Sequence, residues 1–127
     1  MAAESTLYER VGGTPWFTEL VARFYRGVES DPVLRPLYPE DLTGPRDRLT
    51  GFLIQYWGGP TDYSQQRGHP RLRMRHFPFA IGPAERDAWY RLMAESVAQS
   101  GAEADDAAEL LAYFEYTTNF LVNQGGP

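Results

Sequence analysis

Apolar side chains recur at the helical period in four stretches of this chain, and proline or glycine separates each stretch from the next. Phe17, Leu20, Val21, Phe24 and Val28 share one helix face; Thr14-Pro15 reads as its N-cap and first residue, and it runs to about Ser30. From Pro45, a second face carries Leu49, Phe52, Leu53, Tyr56 and Trp57 before Gly58-Gly59-Pro60 stops it. Pro83 opens a third helix, with Trp89, Leu92, Met93 and Val97, which Gly101 ends. The fourth spans about Ala104 to Asn123, with Ala107, Leu110, Leu111, Phe114, Thr118 and Leu121 inward and Glu103, Asp105 and Asp106 suited to its positive N-terminal end.

Two shorter elements stand between these. Thr6-Leu7-Tyr8-Glu9 has the spacing of a capping box, and Gly12-Gly13 ends the stub it starts. Asp31-Pro32 opens a short turn carrying Leu34 and Leu37, which Pro39 closes before a connector at 42–44. Residues 58–83 hold breaks at Pro60, Gly68, Pro70, Pro78 and Gly82, leaving room for no helix longer than about two turns. No segment alternates with period two, and no repeat is visible. The expectation is an all-α fold forming one domain over residues 1–127, with about four substantial helices, two very short ones and an irregular linker.

Composition narrows the chemistry. At 127 residues with 43% hydrophobic and 14% aromatic side chains, the chain can build one core that buries roughly two-thirds of its unfolded surface, which excludes disorder. It has no Cys and only two His, His69 and His76, so disulfides, zinc fingers, iron–sulfur ligation and any site needing three imidazoles are excluded. A net charge of −5 is the wrong balance for a nucleic-acid binder. All 12 basic residues are Arg, which removes Schiff-base and P-loop lysine chemistry. Four of them, Arg67, Arg71, Arg73 and Arg75, lie in an acid-free stretch between Asp62 and Glu85, which points to a local anion site. With no apolar run near the ~20 residues of a membrane span and no signal-peptide core, the expectation is a cytoplasmic protein without a transmembrane segment.

His76, in Arg73-Met74-Arg75-His76-Phe77-Pro78-Phe79, admits two readings. A lone His near an apolar segment is commonly a hydrogen-bonded structural residue. One imidazole is also enough to be the sole protein ligand of an iron that a porphyrin already holds by four nitrogens. The aromatic stripes divide in the same way, between ordinary core and the lining of a flat apolar cofactor.

Four motifs in register carry a resemblance across Leu7 to Asn123: Phe24-Tyr25 followed by Asp31-Pro32; Tyr56-Trp57-Gly58-Gly59-Pro60; RGHPRLRMRHFPF at 67–79; and Arg86-Asp87 with Trp89. The sequence resembles the group II, or O-type, truncated haemoglobins of actinobacteria. That resemblance implies a two-over-two helical sandwich around haem b, with a reduced first helix and a mostly irregular segment before the proximal histidine. It implies His76 as the iron ligand and Tyr25, Tyr38 and Trp89 as the distal residues that stabilise a bound diatomic. Leu49, Phe52, Leu53, Leu72 and Phe77 match positions lining the haem, while Arg48 and Arg75 match propionate partners. His69 aligns with an exposed loop position. Pro45 stands where a small residue usually guards access to the distal side.

No histidine is then left for the distal side, so its donors would be two phenols and an indole. Such donors slow the release of O₂, which suits sensing, scavenging or redox chemistry better than delivery. The implied function is oxygen binding by a haem protein that also takes CO and NO, with a redox role in detoxification. No nicotinamide- or flavin-binding motif appears, so turnover would require an external reductase. The alternatives are a haem-based sensor or binding module without turnover, and a helical interaction protein without haem. Association into a homodimer is compatible with so acidic and aromatic a small globin.

Overall fold

The computed structural model describes residues 5–68, 76 and 80–123, with Arg67 described by its backbone alone. In chain order it contains α1 (Leu7–Val11), α2 (Thr14–Ser30), a 3₁₀ turn (Arg35–Leu37), α3 (Thr43–Tyr56), α4 (Asp62–Arg67), α5 (Pro83–Ala98) and α6 (Ala104–Leu121). No strand occurs among the described residues, and none of the described helices is long and apolar enough to cross a membrane. The predicted calls at His69, Arg71, Leu72, Arg73, Arg75 and Phe77 lie outside the described residues.

α2 packs on α3, α5 packs on α6, and α2 crosses α5, which makes two helix pairs laid one over the other. The α2 stripe of Phe17, Leu20, Val21, Phe24 and Val28 is wholly buried and meets Met93 and Val97 of α5 and Leu110 and Phe114 of α6 in one core. At the crossing the backbones come close: a Cβ on Gly27 would stand 2.7 Å from Leu92 Cδ2, so only glycine fits unless Leu92 moves. Beside it, Arg23 donates to the Ser96 carbonyl at 3.1 Å.

α1 forms where its capping box predicts. Thr6 Oγ1 accepts the Glu9 N–H at 3.2 Å, and Glu9 Oε1 accepts the Thr6 N–H at 3.1 Å. Two ties hold this stub to the rest, since so short a helix has little stability of its own. The Tyr8 N–H donates to the Trp57 carbonyl at 3.0 Å. Arg10 donates through Nε to Asp106 Oδ1 at 2.9 Å, so Asp106, read from sequence as a favourable charge at the start of α6, is also a buried ion-pair partner.

Several boundaries differ from expectation for local reasons. Gly13, not Thr14, is the N-cap of α2. The cap backbone has φ 76° and ψ −156°, which a β-branched residue resists, and the Thr14 hydroxyl instead shares a 2.8 Å hydrogen bond with the Tyr8 phenol. α3 starts two residues ahead of Pro45; proline is harmless there because first-turn N–H groups have no intrahelical partner. Tyr56, expected on the buried face of α3, is 51% exposed and lies against the Tyr113 ring at 4.2 Å, while Trp57 caps the helix. α6 ends at Leu121, short of the predicted Asn123. Within the predicted irregular segment, α4 keeps to the two-turn limit, and its Ser64 N–H is anchored to Gln55 Oε1 of α3 at 2.9 Å.

The turn after α2 is organised by Asp31, as the cap-plus-proline reading predicts. Asp31 Oδ1 accepts the N–H groups of Val33 and Leu34 at 2.9 and 3.0 Å, and Oδ2 accepts Arg91 of α5 at 2.8 Å. Leu34 is thereby set into the core. Asp31 is 7% exposed but the Arg91 side chain is 56% exposed, so the aspartate carries more of this junction than its partner does. Asp31→Ala is expected to cost about 2 kcal/mol, through the lost cap and the stranded N–H groups. Arg91→Ala should cost less than about 1 kcal/mol, because that charge stays hydrated. Urea titration of both variants checks the ordering.

Candidate functional site

Where α2, the 3₁₀ turn, α3, α5 and α6 converge, they enclose a cavity of about 490 Å³ whose wall includes His76. Of the residues proposed from sequence, Tyr25, Tyr38, Arg48, Leu49, Phe52, Leu53, Trp89 and His76 all line this one cavity, although they span 65 positions of chain. Leu72, Arg75 and Phe77 lie outside the described residues.

One wall is a connected aromatic group. The Tyr25 and Tyr38 rings meet edge to face at 5.5 Å, and Phe24 touches both Tyr25 at 5.0 Å and Trp89 at 4.9 Å. Trp89 also packs on Phe114 at 5.7 Å, so the α2–α5–α6 core holds the indole from behind. Tyr25 sits one residue along α2 from the buried Phe24, and this adjacency turns it toward the cavity. Tyr38 stands just past the 3₁₀ turn. Arg35 steadies that corner by donating to the carbonyls of Tyr38, Pro39 and Glu40 at 3.3, 2.9 and 2.9 Å.

The polar ends of this group come together at the cavity, with the Tyr38 hydroxyl set beside Tyr25 and Trp89. Burial, then the proximity of Tyr38, push the Tyr25 phenol well above its ordinary range, while Arg48 pulls the other way. Burial also raises Tyr38, and the neighbouring Tyr25 O–H and Trp89 N–H offset part of that rise. Both phenols are therefore neutral donors throughout the neutral range.

The opposite wall comes from α3 and α6. Phe52 meets Tyr63 of α4 at 5.7 Å, and Tyr63 lines the cavity too. Leu53 is buried, whereas Leu49 and Phe52 are half-buried, as expected of side chains facing a cavity. Arg48 is exposed and reaches the cavity from its solvent side. Sequence reasoning missed Arg86 as a lining residue although it noted the Arg86-Asp87 pair. Its Nε donates to Asn119 Oδ1 at 2.9 Å, which holds the guanidinium at the cavity between α5 and α6. It also missed Tyr113 and Thr117, which lie one step off the predicted inward stripe of α6; only the width of the cavity shows that the lining arc is broader than the core arc.

Comparison with known proteins agrees with this geometry. The family model of bacterial-like globins matches residues 6–123. The chain is 39% identical to the Group 2 truncated hemoglobin YjbI of Bacillus subtilis over 117 residues, covering 92% of this chain and 88% of that protein. The X-ray structure of a thermostable hemoglobin from the actinobacterium Thermobifida fusca superposes with a TM-score of 0.93 at 50% identity, covering 96% of this chain and all of that one. The structure of a truncated oxygen-avid haemoglobin from Bacillus subtilis superposes with a TM-score of 0.89 at 38% identity, covering 94% of this chain and all of that one.

Tyr113 gives the site a measurable pH signature. Burial pushes its phenol up to about 12 from an ordinary value of 10.0. The unfolded chain therefore releases this proton first, and the associated stability is complete below about pH 10 and lost as pH climbs from 10 toward 12. Tyr113→Phe should flatten the decline of thermal stability over that interval, read as Tm against pH.

Proposed function

Because the chain belongs to the bacterial-like globin family of oxygen-binding haem proteins and is similar to group II truncated haemoglobins, we propose that the cavity holds haem b on His76 and retains O₂ through Tyr38. The observation that carries this reading is the convergence of the Tyr25 and Tyr38 phenols and the Trp89 indole on an apolar cavity whose wall also includes an imidazole.

The residues suit that cofactor. The cavity volume of about 490 Å³ falls within the range of cofactor pockets, and Leu49, Phe52, Leu53 and Leu121 give it apolar walls. With no Cys and two His, this chain lacks the donors to enclose a bare transition metal in nitrogen and sulfur, whereas one imidazole suffices for an iron already chelated by a porphyrin. Arg48 and Arg86 bring permanent positive charge to the cavity, matched to the two carboxylates such a cofactor carries. Bound haem supplies an iron with one position open to a diatomic ligand.

The distal residues act by donating hydrogen bonds. Charge accumulates on the outer atom of O₂ when it is held, and a neutral O–H aimed there slows its escape. The Tyr38 O–H would donate to the ligand, with the Tyr25 O–H and Trp89 N–H as further donors on the same wall. Each hydrogen bond of this type contributes about 1 kcal/mol, roughly a fivefold change in release rate. The Bacillus subtilis relative described as oxygen-avid supports the same behaviour here. CO and NO share the site with weaker dependence on Tyr38, since they draw less charge outward. Acid–base turnover of peroxide is disfavoured, because burial keeps both phenols protonated and neither can accept a proton near neutral pH. A redox cycle with NO would draw electrons from a separate reductase.

Replacing Tyr38 or Trp89 by Phe should raise the O₂ dissociation rate roughly fivefold in stopped flow and leave CO dissociation much less changed. An O₂ rate equal to wild type in both variants would falsify the distal assignment. His76→Ala should abolish the Soret band of the purified protein; an unchanged band would remove His76 as the ligand.

A further inference from the structure

Asn123, just past the end of α6, bonds back to two points on the chain segment that carries His76. Its backbone N–H donates to the Ile81 carbonyl at 2.9 Å, and its Oδ1 accepts the Ile81 N–H at 2.9 Å. Its Nδ2 donates to the carbonyl of His76 at 3.3 Å. Ile81 and His76 both line the cavity, as do Thr117, Thr118 and Leu121 in the last turns of α6.

The chemistry of this contact is specific to a primary amide, which places one acceptor and one two-proton donor side by side. Aspartate offers acceptors only, and an aliphatic residue offers neither. At the other end of the segment, Gly82 donates its N–H to Glu85 Oε1 at 2.7 Å and α5 begins. Residues 76 and 81 are thus both registered against the end of α6, and α6 is itself locked into the core by Leu110 and Phe114.

The geometry points to Asn123 as a positioning residue for the proximal ligand: its amide fixes the peptide of His76 against α6, and through it the direction of the imidazole and the retention of the cofactor. This inference rests on the reading of His76 as the iron ligand.

The test uses the full chain. In Asn123→Ala and Asn123→Asp, the iron–imidazole stretching band of the ferrous, ligand-free protein should shift or broaden in resonance Raman. Haem should pass to excess apomyoglobin about fivefold faster, the loss expected for one hydrogen bond. A separate readout needs no haem: Asn123→Ala should speed deuterium exchange at the Ile81 amide, while Asn123→Asp, which keeps the acceptor, should leave that amide protected. A merely structural anchor would lose Ile81 protection and leave the Raman band unmoved. A native band and a native transfer rate in Asn123→Asp overturn the proposal, and that variant carries the test should Asn123→Ala fail to fold. His76→Gly separates this from the underlying reading. If the band survives loss of His76, the ligand assignment fails; if His76→Gly abolishes it and both Asn123 variants keep it, only the role of Asn123 fails.

Discussion

A chain of 127 residues that sets aside about 490 Å³ for a ligand cannot fill that volume with its own side chains, and every apolar atom facing it forgoes contacts a packed core would supply. The fold depends on meeting that demand with few residues. It does so at the crossing of α2 and α5, where Gly27 lets the backbones approach against Leu92 and Phe24 braces Trp89. Short elements then attach to this frame by polar ties, Arg10 to Asp106 and Asp31 to Arg91, because α1 and the 3₁₀ turn bury too little to hold themselves.

The same frame controls the electrostatics of the cavity. Tyr25 and Tyr38 are pressed into a place with little water, so both phenols stay protonated, and a protonated phenol can only serve as a neutral donor or acceptor. Because their polar ends face the cavity, the two hydroxyls and the Trp89 indole N–H are not stranded inside the apolar core behind them. Arg48 stays exposed and Arg86 is held by Asn119, so positive charge stands at the cavity without desolvating a guanidinium completely.

Helix existence was legible in the chain because proline and glycine punctuate it sharply and the apolar stripes are regular. The Thr6–Glu9 box and the Asp31-Pro32 turn were legible for a stronger reason, since each is a local hydrogen-bond pattern that needs no distant partner. The departures share a cause as well. Thr14 yielded the cap to Gly13 because the Tyr8 phenol, six residues back, took its hydroxyl. Tyr56 left the buried face because Tyr113, from another helix, offered a ring to stack on. Such partners are invisible to a periodicity argument.

The cavity shows the same division. The scarcity of His and Cys, with the four motifs in register, already pointed to one imidazole, two phenols and an indole as the chemical inventory. That Tyr25, Tyr38 and Trp89 meet, and that Arg86, Tyr113 and Thr117 share the wall, followed only from how α2, α5 and α6 cross. The sequence determined the helices and the kinds of group on hand, because those depend on neighbours within a few residues. The tertiary structure alone decided that two phenols and an indole face one cavity and that Asn123 reaches back 47 residues to His76, because those depend on distances that no local pattern encodes.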